Sequence, residues 1–276
     1  MYLSLVRGDA GPLRRALQGR PEHPPTATWA NFVRNHDELS LDKLTNKERE
    51  EAFAVRAPDP DMRIFERGVR RRLPSMVDGD RARMELMYSL AFSLPGTPVV
   101  FYGEEIGMGD DQSLEGRNAV RTAMQWTGDR GAGFSTAPRP AMRRPPIDTG
   151  PFGYRRVNVE RQRERPNSML SWMERLFRTR REWPEFGWGD WRLLRTGDDA
   201  VIALTAEWDA GQVLAVHNLS SRRASARLSV AGGVERGRWH HLLGRRTRNR
   251  LLPDDGAFTL DLSPYGYHWF GRRKGP

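Results

Sequence analysis

A mixed α/β region followed by an all-β domain is the fold class this 276-residue sequence predicts, on three observations. Two short apolar runs, Trp29–Val33 and Pro98–Tyr102, each stop at clustered carboxylates, as strands buried on both faces do when they deliver polar groups to one rim. Between them lies a pattern with helical period. Beyond Gly187 the character changes to short β-like runs separated by turn residues, the spacing of an antiparallel β-sandwich.

Residues Tyr2 to Leu17 read as a helix interrupted around Gly8-Asp9-Ala10-Gly11-Pro12, and Pro21 to Pro25 as a loop. Trp29 to Val33 is the first strand, ending in Asn35-His36-Asp37-Glu38. The charged stretch Asp42 to Arg72, broken at Pro58-Asp59-Pro60, is too long for a connector and reads as an inserted functional segment. Asp80 then caps a helix whose Met84, Met87, Tyr88 and Ala91 share one face, stopped by Pro95-Gly96. Pro98 to Tyr102 is the second strand, with Glu104 and Glu105 at its end. A right-handed β-α-β crossover places both strand ends on one side, so Asp37, Glu38, Glu104 and Glu105 are expected around one mouth.

Residues 107–166, rich in Gly, Pro and Arg, are expected to form a long ordered loop over that mouth, and Asn167 to cap a helix ending near Trp183-Pro184. Strands are expected at Trp191–Leu194, Val201–Ala206, Gln212–Asn218, Ala224–Val230, Trp239–Leu243, Phe258–Leu262 and Tyr265–Phe270. The division is therefore 1–187 and 188–276.

Composition excludes several classes. There is no cysteine, hence no disulfide or thiolate chemistry, and no apolar run approaches the roughly 20 residues that cross a bilayer. The N-terminus lacks a basic segment ahead of an apolar one, so a cytoplasmic location without membrane contact is expected. The formal charge of +10 comes almost entirely from scattered arginines, with lysine only at Lys43, Lys47 and Lys274, and no nucleic-acid motif accompanies it. No nucleic-acid partner is expected. His240-His241 has no companions at metal-ligand spacing.

Taken alone, Asn35-His36-Asp37 could cap a following helix, Arg121 could be a loop arginine paired with an acidic neighbour, and Glu104 and Glu105 could tie down loops. Trp188, Trp191 and the Tyr265-Tyr267-Trp269 stripe could stack on sugars or fill a core. In its order, however, the set Asn35-His36-Asp37-Glu38, then Gly96-Thr97-Pro98-Val99-Val100-Phe101-Tyr102-Gly103-Glu104-Glu105, then Arg121-Thr122-Ala123-Met124-Gln125-Trp126 resembles the α-amylase family of glycoside hydrolases and transglycosylases. The stretches Gly68-Val69-Arg70-Arg71-Arg72-Leu73 and Val157-Asn158-Val159-Glu160 are most similar to its trehalose synthase branch, although that branch has proline where Ala123 stands.

The resemblance implies that this is the C-terminal part of a (β/α)8 TIM barrel, about two strands with their helices, followed by a β-sandwich. It implies Asp37 as the catalytic carboxylate that stabilises the transition state, and His36, Glu38 and Arg121 as substrate-binding residues. The implied substrates are maltose, trehalose or other short α-glucosides, interconverted by intramolecular glucosyl transfer. The family's nucleophile motif Gly-x-Arg-x-Asp and its acid glutamate are not found, so the isolated chain is expected to be inactive unless a missing barrel half or another subunit complements it. No cofactor is implied for this segment, and the family's calcium belongs to the part preceding it. Two alternatives stay open: an α-glucosidase that hydrolyses rather than isomerises, and a non-catalytic carbohydrate-binding or assembly remnant.

Overall fold

Gly8, in the left-handed region at φ 63°, ends α1 (Tyr2–Arg7) before α2 (Gly11–Gln18) begins, at the interruption that Gly8 to Pro12 predicts. The computed structural model describes residues 1–22, 24, 26–209, 211–230, 238–245 and 257–273. The loop expected over Pro21 to Pro25 has no regular structure at 21, 22 and 24, and its residues 23 and 25 lie outside the described residues.

The chain then forms β1 (Ala30–Asn31), β2 (Leu39–Ser40), α3 (Asn46–Arg56), β3 (Arg63–Ile64), β4 (Gly68–Val69), α4 (Leu73–Met76), α5 (Arg81–Ser93) and β5 (Thr97–Pro98). α3 starts at a capping box, Thr45 accepting from the Glu48 amide while Glu48 reaches back to Thr45. Asp80 accepts from the amides of Ala82 and Arg83 at 2.9 and 3.2 Å, the predicted cap of α5. After 3-10 turns come α6 (Val159–Arg163), α7 (Met169–Glu182) and α8 (Glu185–Trp188). α7 begins one residue later than expected: Ser168 Oγ, not Asn167, accepts from the Ser171 amide at 3.1 Å.

Two compact units result, one of residues 1–31, 85–98 and 176–276, the other of residues 32–84 and 99–175. The first, the sheet unit, holds a parallel pair, β1 with β5, in register Ala30 with Thr97 and Asn31 with Pro98. Pairing of strands on either side of a helix is what the sequence predicts, but each covers two residues rather than five. The reason is visible at the second: the Phe101 amide donates to Glu104 Oε2 at 2.9 Å and the Tyr102 carbonyl accepts from Arg72 at 2.8 Å, so side chains satisfy groups that a longer ladder would use.

The rest of the sheet unit is antiparallel. β6 (Asp190–Leu194), β7 (Val201–Trp208), β8 (Gly211–Asn218), β9 (Ala224–Ser229), β10 (His240–Gly244), β11 (Ala257–Leu262) and β12 (Tyr267–Arg273) follow the seven expected runs. They make a five-stranded sheet in the order β10-β12-β8-β7-β6 and a separate β11-β9 pair. In β9, Ala224, Ala226 and Leu228 are buried while the residues between them are exposed. Phe258, Leu260 and Leu262 alternate likewise in β11, and both rows join Val201, Leu214, Val216, Trp239 and Phe270 in one apolar cluster.

Tyr267 and Trp269 belong to the interior, Trp269 donating to Ser89 Oγ at 2.9 Å, which removes them as sugar-stacking candidates. Among the described residues no helix is long and apolar enough to cross a membrane.

Candidate active site

All four residues singled out from the sequence lie in the second unit, whose regular structure is sparse. Its three-stranded sheet, β2-β4-β3, has only two residues per strand. β2 follows directly on Glu38, and β4 pairs with it through Leu39 with Val69 and Ser40 with Gly68. Gly68 is required by closeness rather than by torsion: a Cβ there would meet Glu38 Cγ at 2.6 Å and the Ile64 carbonyl at 2.9 Å. The hairpin is thereby held against the acidic end of the Asn35 to Glu38 segment.

Inside that segment Asn35 Oδ1 accepts from the Asp37 amide at 2.9 Å, a local turn rather than the cap of a following helix. The wholly buried Arg34 donates to the Asp37 carbonyl at 2.7 Å and to the Arg71 carbonyl at 2.8 Å, fixing the backbone from which His36, Asp37 and Glu38 project.

Two guanidinium groups converge on Asp37 from the 3-10 turn Gly116–Val120 and the residue after it. Arg121 Nη2 lies 2.8 Å from Asp37 Oδ1, and Arg121 Nε donates to the His36 carbonyl at 2.7 Å. Arg117 Nε is 2.7 Å from Glu38 Oε2 and 3.4 Å from Asp37 Oδ1, so one cation bridges both carboxylates. The Arg117 hydrogen bond holds the Glu38 carboxyl below the usual carboxylate range, keeping it ionised. His36 Nε2 stands 3.6 Å from Asp37 Oδ2, and its side chain is 64% exposed where Asp37 is 36% and Glu38 only 8%. The result is a partly open cluster of two carboxylates, two guanidiniums and an imidazole, which presents donors and acceptors side by side as sugar hydroxyls require.

The strand-end pair Glu104 and Glu105 behaves differently. Glu104 is buried and engaged with the Phe101 amide, a loop-fastening role, and burial raises the pKa of Glu105. Two contributors escaped the sequence reading. Arg117 carries no motif and meets its partners only through a return 79 residues along the chain. Phe65, 55% exposed at the tip of the β3-β4 hairpin, lies under the Arg117 guanidinium at 5.2 Å. Arg121 pairs with an acidic neighbour, as its reading as a loop arginine expects, and that neighbour is Asp37. Among the described residues no group of three or more His, Asp or Glu side chains is arranged to hold a metal ion.

Comparison with known proteins places these observations. Residues 64–189 match the model of the alpha-amylase catalytic domain, a span that includes Arg117 and Arg121 but not His36 to Glu38. A trehalose synthase of Thermus thermophilus is 41% identical over 273 residues, which is 98% of this chain and 28% of that protein. A trehalose synthase/amylase of Mycobacterium tuberculosis is 40% identical over 276 residues, 98% of this chain and 45% of that protein. The chain thus spans less than half the length of either relative. In structure, the α-amylase of H. orenii superposes with a TM-score of 0.65 at 18% identity, over 99% of this chain and 46% of that one, a likeness of fold.

Proposed function

We propose, from the alpha-amylase catalytic-domain match over residues 64–189 and a similarity to trehalose synthases over 98% of the chain, that this segment forms the sugar-gripping side of a trehalose-synthase-like glucosyl-transfer site. On this reading the β1-β5 pair and its helices are the C-terminal part of a (β/α)8 barrel, and the antiparallel sheets are the sandwich that follows it. The reaction is the interconversion of maltose and trehalose. A glucosyl group held covalently is attacked by the anomeric hydroxyl of the glucose just released, with water kept out meanwhile.

Asp37 is the residue assigned to the transition state. Charge develops on the sugar ring as it takes on oxocarbenium character, and a carboxylate that accepts from the ring's hydroxyls binds this form more tightly than the ground state. His36 and Arg121 present the donors around it, and Glu38 binds substrate hydroxyls with its charge fixed by Arg117. The sequence contains no Gly-x-Arg-x-Asp, so the 276-residue chain alone grips the sugar without forming the covalent intermediate.

The observation that carries this reading is the Arg121–Asp37 contact at 2.8 Å, which joins two separately recognised motifs in one place. Calorimetry of the purified chain with maltose is expected to give saturable heat, with neither trehalose nor glucose produced, and Asp37→Asn to abolish the heat. Maltose turnover by this chain alone would refute the division of labour. The product would then identify the chemistry, trehalose for isomerisation and glucose for hydrolysis. In a longer protein carrying this segment, Asp37→Asn should lower kcat about a hundredfold or more, as loss of a strong transition-state contact does.

A further inference from the structure

Within the sheet unit, the residues around Trp29, the Pro95–Pro98 turn and the α7-α8-β6 connection line a half-open cavity of about 770 Å³, and none of the candidate active-site side chains lines it. Its wall combines tryptophan with arginine. Arg20 lies over the rings of Trp29 and Trp191 at 5.0 and 5.5 Å. Arg180 donates one Nη to the Gly96 carbonyl at 2.7 Å, while its Nε is buried without a hydrogen-bond partner. Arg181 completes the trio, and Asp190 is the carboxylate on the same lining. Trp188, at the rim, is 75% exposed, an unusual state for so large an apolar surface.

The electrostatics are uncompensated. Burial lowers the pKa of Arg20 and pushes that of Arg180 down to about 10, with no carboxylate acting on either. Among the described residues neither these two nor Arg181 has an ion-pair partner. Desolvated guanidinium groups without an anion are costly, and each offers planar donors that suit phosphate oxygens. A bare anion would leave Trp188 unused. Its flat indole face matches the apolar face of a pyranose ring, and Asp190 can accept from ring hydroxyls.

We propose that this cavity binds a phosphorylated hexose, the phosphate held by Arg20, Arg180 and Arg181 and the sugar ring laid against Trp188. The site is independent of the Asp37 cluster and of the reading given to it.

Calorimetry of the 276-residue chain with glucose 6-phosphate, glucose and inorganic phosphate tests it. Glucose 6-phosphate is expected to bind saturably, and the other two at least about tenfold more weakly, because each lacks one half of the contacts. Trp188→Ala and Arg181→Gln, both at exposed positions that leave folding intact, should each weaken glucose 6-phosphate about tenfold, and Asp37→Asn should leave it unchanged. Equal affinity for glucose, equal affinity for inorganic phosphate, no saturable heat, or indifference to both cavity substitutions would overturn the assignment. Loss of glucose 6-phosphate binding in Asp37→Asn would overturn it too, by moving the ligand to the other site.

Discussion

The two units satisfy most of their backbone polar groups by different means. In the sheet unit, β7 and β8 pair along eight residues each, so the ladder itself consumes the backbone donors and acceptors, and an apolar cluster fills the space between strands. The unit that carries Asp37 has no strand longer than two residues, and long cationic side chains take over the task. Arg56 donates to the Met76 carbonyl at 2.9 Å, Arg70 to the carbonyls of Gln112 and Leu114 at 2.6 and 2.9 Å, and Arg72 to those of Val120 and Tyr102 at 3.0 and 2.8 Å. Loops wrapped around a polar site have no ladder to offer, and arginine supplies five donors on one reach.

If that contrast is right, removing a buried arginine harms its unit more than truncating a core leucine harms the other. Arg72, 1% exposed and set over the rings of Phe101 and Tyr102, is the strongest case. Arg72→Met should cost about 4 kcal/mol by stranding the buried Val120 carbonyl and the part-buried Tyr102 carbonyl and losing the ring contacts, read as a shift in the urea midpoint. Leu214→Ala, at the centre of the sheet cluster, should cost about 3 kcal/mol by the same assay. A reversal of that order would break the comparison.

The same contrast explains what could be read from the sequence. β9 and β11 announce themselves by strict alternation, because a half-buried strand writes its own pattern into consecutive residues. Arginine clamps write none. Nothing near Arg117 foretells Glu38, and the run Val99 to Tyr102 has strand composition although its backbone groups are claimed by Glu104 and Arg72. His36, Asp37 and Arg121 are singled out by the resemblance of their motifs to a known family, whereas Arg34, Gly68 and Phe65 are tied to the cluster through tertiary closeness alone.

Acid sharpens the difference from the sheet side. His217 is wholly buried with Nε2 at 2.9 Å from Ser89 Oγ, and burial above all lowers its pKa to about 3. His268 falls to about 4 by burial and the nearby His241. Both folded values lie below the unfolded value of about 6.5, so the unfolded chain takes up protons first as pH falls. Their contribution is complete above about pH 6.5 and is lost progressively toward pH 3 to 4, at about 1.4 kcal/mol per pH unit for each histidine. Between pH 7 and 5.5 the sheet unit should lose roughly 1–2 kcal/mol from His217. In His217→Gln, thermal unfolding followed against pH should show a shallower decline, and an unchanged slope would remove His217 as the cause.

The smallest effect probes strain in the loop unit. Phe65 and Glu66 stand consecutively at φ 54° and 56°, between β3 and β4, whereas the left-handed non-glycine residues described in the sheet unit, Asp209 after β7 and Tyr265 before β12, both at φ 52°, stand singly. A left-handed Phe or Glu costs on the order of 1 kcal/mol, and such strain persists where the surroundings dictate the backbone. Here the dictating contacts are the Gly68–Glu38 approach beneath the hairpin and Arg117 above Phe65. Glu66→Asn should therefore stabilise the protein by up to about 1 kcal/mol, a rise of about 2 °C in Tm, at no loss to the cluster. Phe65→Asn relieves a similar strain but forfeits the ring under Arg117, so its gain should be smaller than that of Glu66→Asn. Equal gains would mean that the Phe65–Arg117 contact contributes nothing to stability, and a loss in both would mean that the hairpin is not strained at all.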